Sequence, residues 1–306
     1  MALTYDQISA ITQKKFIPKM YDNIFNSNPL LQRAKKKFYQ KIDGGERILV
    51  PLNYAQISSS GWYQGADTLS TADNDTITAA EYTWKQSFAN ISINRLDELK
   101  NSGDSQILSL VKSKTQIAQK SLEDKLSTGL YSSGSDPKSI VGLGSMLSSS
   151  NTVGGIAQST NTWWVPQLDS TTTTLGLSSM QAIHNLASVN NDSPTVVVTT
   201  RTLYNSYYAL LQPQQRFQDS ESAKGGFSSL MFNGIPVLPD SYCTANYMIF
   251  LNENYMHLFV HSDEDMRFEP FTKPVNQNVK LAKIYWAGAF GSSNLRLQGA
   301  LTAVTA

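Results

Sequence analysis

Cysteine, charge, histidine and long apolar runs are all scarce in this sequence. One cysteine, Cys243, in 306 residues leaves no partner for an intrachain disulfide and no thiolate set for zinc. Its setting, Ser-Tyr-Cys-Thr-Ala, carries no nucleophile signature, so the thiol reads as structural. Lys+Arg 25 against Asp+Glu 24 gives a net charge of +1, without the basic excess of a dedicated nucleic-acid binder. No run of 18 apolar residues exists to span a bilayer. The N-terminus, Met1-Ala2-Leu3-Thr4-Tyr5-Asp6, lacks the positive start and apolar core of a secretory signal. No His-Glu-x-x-His, G-x-S-x-G or G-x-x-x-x-G-K-[ST] pattern occurs, and Gly142-Leu143-Gly144 lacks the third glycine of a dinucleotide loop. The three histidines are His184, on an expected helix, and His257 and His261, four apart near a strand, which is not a metal-ligand pattern. Asp263-Glu264-Asp265 reads as a solvated turn, and Asp97 and Glu98 as surface charges. With no nucleophile–base constellation, neither an enzyme nor a cofactor site is expected.

Charged residues make up only 16% of the chain, against roughly 25% in an average soluble domain. Hydrophobic residues are 41% and aromatics 10%, enough for a sizeable core. Length alone points to about two domains. A weakly charged surface is poorly protected against self-association. Two readings follow: a neutral globular protein, or a surface meant to be covered by neighbours.

Residues 1–45 read as a broken helical arm, interrupted by Pro18 and Pro29, whose apolar residues form no single stripe. Lys35, Lys36 and Lys37, with Lys41 nearby, form either a solvated face or a contact with an acidic partner. From 46 to 95 the period shifts toward two, giving a long hairpin whose return, 77–93, alternates in part, with strand-like flanks at 47–52 and 82–93. Its tip, Ser58 to Asp75, is rich in Ser, Gly, Asp and Asn yet holds Trp62 and Tyr63. Either the hairpin folds back with Trp62 as an internal anchor, or it projects onto another molecule.

Residues 104–130 predict the clearest helix. Asp104 is its cap, and Ile107, Leu108, Val111, Ile117, Ala118, Leu122, Leu126 and Leu130 are its apolar stripe. The stretch 132–179 is weak in charge, with a short strand expected at 140–143 and an aromatic anchor at Trp163-Trp164. A helix over 177–189, a buried strand at 195–200, a helix over 202–211 stopped by Pro213, and strands within 227–237 and 247–251 then form a compact α/β unit. Gln212-Pro213-Gln214-Gln215-Arg216-Phe217 reads as a polar loop or a protein–protein contact. The last fifty residues are strand-rich: 256–260, 267–270, 283–290 and 294–299.

This order of elements resembles the major capsid proteins of tailed bacteriophages, the Hong Kong 97 fold. Val198-Thr199-Thr200-Arg201-Thr202-Leu203-Tyr204-Asn205, Leu211-Gln212-Pro213-Gln214-Gln215-Arg216-Phe217, Phe227 to Val237 and Asp240-Ser241 are similar to the axial-domain passage of such proteins. Glu269-Pro270-Phe271 and Lys283-Ile284-Tyr285-Trp286-Ala287-Gly288 are similar to their C-terminal part. The resemblance implies an α+β fold with an N-terminal arm (1–45), an extended β-hairpin loop (46–95), a peripheral domain in two parts (96–179, with spine helix 104–130, and 253–306) and an axial α/β domain (180–252).

The implied function is that of a shell protein whose hexamers and pentamers tile an icosahedral head around double-stranded DNA, packaged without sequence specificity. A neutral inner wall suits DNA that must slide, since many phosphate contacts would hold it. The implied setting is a virion capsid assembled in the host cytoplasm, with a portal protein and no membrane. Because the arm begins almost at Met1, a separate scaffolding protein is expected, the alternative being a scaffolding segment that has been removed. Trp62, Tyr63, Gln214 and Arg216 are the candidate inter-subunit contacts. The single lysine between 46 and 95, Lys85, lies near the expected hairpin base, which argues against covalent cross-linking of the hairpin. The rival readings are an encapsulin-type compartment shell, which shares the fold, and a soluble α/β enzyme.

Overall fold

A computed structural model describes residues 28–100, 110–172, 174–211 and 230–305. The arm before residue 28, the expected cap Asp104 with Ile107 and Leu108, the Pro213 stop, Gln214 and Arg216 lie outside the described residues. In chain order the elements begin with α1 (Pro29–Lys37), β1 (Tyr39–Ile42), β2 (Ile48–Asn53), β3 (Ile77–Tyr82), β4 (Lys85–Asn94), α2 (Arg95–Lys100), α3 (Leu110–Leu130) and α4 (Leu143–Met146). Next come β5 (Thr152–Val153), β6 (Ile156–Ala157), β7 (Gln167–Asp169), α5 (Leu177–Leu186), β8 (Val196–Thr199), α6 (Arg201–Leu211), β9 (Leu230–Phe232) and β10 (Ile235–Pro239). The last are β11 (Met248–Leu251), β12 (Met256–His261), β13 (Arg267–Thr272), β14 (Val279–Ser292) and β15 (Gly299–Leu301). This is an α+β protein. The chain divides into a larger unit whose described parts are 28–87, 124–172, 174–211, 230–267 and 285–305, and a smaller one whose described parts are 88–100, 110–123 and 268–284.

The larger unit is organised by a six-stranded sheet of order β7-β15-β11-β8-β10-β9. Its central strand β8, Val-Val-Val-Thr, is buried along its whole length, as a strand covered on both faces must be. β8 runs parallel to β10 and antiparallel to β11, placing Val197 beside Val237 and Phe250. Met180 and Ile183 of α5, Leu203 and Tyr207 of α6, and Phe232, Phe250 and Leu301 share one core with it. Helix α5 lies close on β15, because a side chain at Gly299 would meet Ile183 Cγ2 at 2.8 Å.

Four local expectations change. The sheet recruits residues 167–169 and 299–301 from outside the 180–252 stretch. The strand-like run expected at 232–237 holds the turn of a hairpin between β9 and β10, made by Asn233 and Gly234 at φ +48° and +79°. Asn-Gly with both residues at positive φ is the turn whose twist matches its strands. No strand forms at 140–143. A Cβ on Gly142 would lie 2.4 Å from the Gly129 carbonyl oxygen and the Ser132 amide, so Gly142 serves close packing and opens α4. The last strand is 299–301, and 294–298 turn into it.

Pro29 begins a helix instead of interrupting one, since its missing N–H would have had no partner in the first turn. The nine residues of α1 are too few to hold a helix alone. Docking supplies the rest. Leu30, Leu31 and Ala34 are buried, and Arg33 grips Glu253 through Nε–Oε1 at 2.5 Å and Nη2–Oε2 at 2.9 Å. Glu253 also accepts the Thr195 hydroxyl at 2.8 Å. The buried Asp240 carboxylate accepts the Leu30 amide at 3.4 Å, the Tyr131 hydroxyl at 2.9 Å and the Tyr242 amide at 2.9 Å, joining α1, the end of α3 and β10. Burial, and after it the charge of Asp240, pushes the Tyr131 hydroxyl and the Cys243 thiol up, the thiol to about 12.

In the larger unit β1 runs parallel to β12, and β12 antiparallel to the end of β14, pairing Tyr39 with Leu258 and Leu258 with Phe290. In the smaller unit β13 and β4 flank β14. Within α3, Ala118, Leu122, Leu126 and Leu130 are buried, whereas Val111 and Ile117 of the expected stripe are exposed.

Candidate assembly surface

The hairpin predicted between 46 and 95 exists, but the return run of 77–93 is two strands, and only the first, β3, pairs with β2. β2 and β3 pair antiparallel from Ile48–Tyr82 to Asn53–Ile77. The chain then turns at Thr83 and Trp84, and β4 joins β14. The base is seated on its own subunit. Ile48, Leu52, Ala80 and Tyr82 are buried on one face, in the alternation that a half-covered strand requires. Tyr82 packs where Gly291 leaves room, since a Cβ there would meet its ring at 2.6 Å. Its hydroxyl donates to the Ser292 carbonyl at 2.7 Å and accepts the Ser292 amide at 3.0 Å, and burial pushes its pKa up to about 12. The Glu81 amide donates to the Gly154 carbonyl at 2.9 Å, and Tyr54 stacks on Trp163 at 5.2 Å. Trp164, the expected aromatic anchor, is buried and donates from Nε1 to the Val153 carbonyl at 3.0 Å.

Past Tyr54 the hairpin changes character. Residues 56–75 are exposed almost throughout. The bonds that shape the tip are its own. Asn74 Oδ1 accepts the Ser58 amide at 3.0 Å, Asn74 Nδ2 donates to the Gln56 carbonyl at 3.2 Å, and Asp67 accepts the Gln64 amide at 2.9 Å. Trp62 is fully exposed at 105% and Tyr63 at 67%, so Trp62 is not the internal anchor that the alternative reading required. Ile57 and Leu69 are exposed beside them. A loop that leaves four large apolar side chains in water has little of its own to bury them against.

The residues screened for chemistry are dispersed into structural tasks. His257 stacks on Phe259 at 5.5 Å and contacts Ser293 Oγ at 3.1 Å through Nε2; burial holds its pKa below the usual imidazole value. His261 Nδ1 accepts the Asp263 amide at 3.1 Å, and His184 meets the edge of Phe232 at 6.0 Å. The acidic triplet is engaged by cations, Lys41 with Asp265 at 2.9 Å and Arg267 with Glu264 at 2.7 Å. Lys85 donates to the Pro137 carbonyl at 2.6 Å. Among the described residues no group of three or more His, Cys, Asp or Glu could hold a metal ion. Among them, too, no helix is long and apolar enough to cross a membrane. Sequence reasoning missed the Arg33–Glu253 and Asp240 clusters, whose members are 220 and up to 210 residues apart.

The seated base, exposed tip, long helix α3 and six-stranded sheet are those of the Hong Kong 97 fold of tailed-phage capsid proteins. The chain superposes end to end on solved shells of that fold. It is 17% identical to a protein of the cyanophage A-1(L) capsid asymmetric unit, covering 99% of this chain and 100% of that one at a TM-score of 0.74. Against the capsid of a native GTA particle the identity is 12%, with coverage of 99% and 100% and a TM-score of 0.70. The holo-SrpI encapsulin complex from Synechococcus elongatus PCC 7942 is also similar, at 9% identity, coverage of 99% and 96%, and a TM-score of 0.62. No protein-family model and no curated protein matches the sequence.

Proposed function

We propose that this chain is the major capsid protein of a tailed phage and has no enzymatic role. It self-assembles into the hexamers and pentamers of an icosahedral head. The observation that carries the reading is end-to-end similarity to capsid subunits, joined to a hairpin whose base is buried and whose tip exposes Ile57, Trp62, Tyr63 and Leu69. Buried apolar surface drives association, and a tip of this kind gains it only against another molecule. Residues 1–45 serve as the arm, 46–95 as the extended loop, and 96–179 with 253–306 as the peripheral domain. The axial domain is built on 180–252 with the two strands recruited to its sheet. Trp62 and Tyr63, with Gln214 and Arg216, are the inter-subunit contacts. The head encloses double-stranded DNA through contacts that carry no sequence information. A separate scaffolding protein and a portal complete the assembly, in the host cytoplasm, and the product is the virion capsid.

The similarity to an encapsulin supports a second reading, a cellular compartment shell. Negative-stain microscopy and sedimentation of the expressed protein test both. Closed particles tens of nanometres across support a shell, and a stable monomer refutes one. Particles from the native source that contain DNA support the phage head, and particles loaded with enzyme support the compartment.

A further inference from the structure

Asn233-Gly234 is the one Asn-Gly pair in the sequence. It turns the β9–β10 hairpin with both residues at positive φ and both exposed. An asparagine side chain can close a ring on the backbone nitrogen that follows it, and the next side chain ordinarily hinders that approach. Glycine has no side chain to do so. The surroundings are as open as the residue, since a Cβ on Gly234 would find nothing within 4 Å. The Asn233 amide is tethered, its Nδ2 donating to Gln181 Oε1 of α5 at 2.8 Å, while Gln181 Nε2 donates to Asn185 Oδ1 at 2.7 Å. The strand before the turn is pinned to α6. The Tyr207 hydroxyl donates to the Met231 carbonyl at 2.8 Å, the Tyr204 hydroxyl accepts the Leu230 amide at 3.3 Å, and Phe232 lies in the core.

We propose that Asn233 is a self-modifying site: it deamidates in the folded protein, at a rate held down by the Gln181 tether. The Gly234 nitrogen, its proton lost to hydroxide, attacks Asn233 Cγ. The Cγ–Nδ2 bond breaks, and Nδ2 leaves as ammonia with a proton from water, closing a cyclic imide. Water then opens the ring. Opening at Cγ gives aspartate; opening at the backbone carbonyl gives isoaspartate, with the chain rerouted through the former side chain. Water is the sole co-reactant. Either product adds one negative charge and takes the formal net charge of +1 to zero. Aspartate keeps the turn, because it tolerates the left-handed conformation that Asn233 holds. Isoaspartate inserts a methylene group into the backbone of a two-residue turn. With Leu230 and Met231 fixed by Tyr204 and Tyr207, β9 has no freedom to shift and take it up, so the hairpin opens at its turn. The site is a slow, one-way clock of charge and hairpin geometry, and it operates whether or not the chain assembles into a shell.

Ageing the purified full chain in warm, mildly alkaline buffer tests the proposal. Peptide mapping by mass spectrometry follows every asparagine, and an ammonia assay follows the released nitrogen. Asn233 should convert ahead of every other asparagine, with ammonia released in step and isoaspartate detected in the same peptide by enzymatic methylation. Asp43-Gly44 can close the same ring but loses no ammonia, so mass and ammonia assign the signal to Asn233. Gln181→Ala removes the tether and should speed conversion about 2–10-fold, the factor that releasing one ordinary hydrogen bond allows. In urea the parent and Gln181→Ala chains should convert at one rate, because the tether exists only in the folded protein. Asn233→Gln, whose side chain is too long to close the favoured ring, should stay unmodified. A native Asn233 that stays intact while the urea-unfolded chain converts, or another asparagine that converts first, overturns the site. A folded Gln181→Ala variant that converts no faster than the parent overturns the tether.

Discussion

The Arg33–Glu253 pair holds a nine-residue helix to the core, and its removal has a calculable consequence. The side chain of Glu253 is 5% accessible and that of Arg33 26%. Replacing Arg33 by Met keeps the apolar stem but strands a buried carboxylate whose remaining side-chain donor is the Thr195 hydroxyl. Removing one partner of a buried pair costs about 3–5 kcal/mol; discounted for the quarter of Arg33 that meets water, the expectation is about 2–4 kcal/mol. Removing the carboxylate as well, in Arg33→Met/Glu253→Leu, should recover most of the loss, because no uncompensated charge remains. The coupling energy of the double-mutant cycle is then about 2 kcal/mol. Urea unfolding should be followed on unassembled subunits, since assembly adds its own stabilisation. Protease accessibility near Leu30 would show whether α1 detaches before global unfolding. If Arg33→Met costs less than about 0.5 kcal/mol, or the double variant is no better than the single, the pair does not hold the helix and the burial of Leu30, Leu31 and Ala34 alone explains its docking.

Leu122→Asp places a charge at a buried position of α3 and should cost about 3–5 kcal/mol, read as loss of soluble, assembly-competent protein; a normally assembling variant would contradict the role of α3 as a spine. Deleting 58–75 should leave the subunit folded by circular dichroism while abolishing closed particles, and shells from that variant would remove the tip from the assembly contact. Cys243, with its pKa pushed to about 12 by burial and by Asp240, should resist thiol reagents at pH 8 in the native protein and react on unfolding. The pKa of His257 is lowered from 6.5 by burial, so the unfolded chain takes up the proton first as pH falls through 6.5. Stability present above that pH is lost below it, and His257→Gln should flatten the slope measured by urea titration as pH falls through 6.5.

Several elements were legible because their signals are local. β8 is a short apolar run, α6 is a periodic segment, and the hairpin tip combines turn residues with two stranded aromatics, so each follows from neighbours a few positions apart. The split of the hairpin's return run into two strands was not legible. Residues 77–82 and 85–94 both alternate, and alternation states that one face is buried without naming the partner strand. The seat of Tyr82 on Gly291 decided it, through residues more than 200 positions apart. Likewise, Val111 and Ile117 match the helical period of α3, but which turns of a stripe are covered depends on what packs there.

The sequence by itself determined the class of fold: an α+β chain of low charge with an acidic, aromatic hairpin tip. Only the tertiary structure decided which strand closes the hairpin, that the six-stranded sheet borrows strands from distant parts of the chain, and that Arg33 meets Glu253 and Tyr131 meets Asp240. Composition and period are properties of the chain at short range. Strand pairing and buried polar contacts depend on which distant segments share a core, and that is settled by burial over the whole molecule.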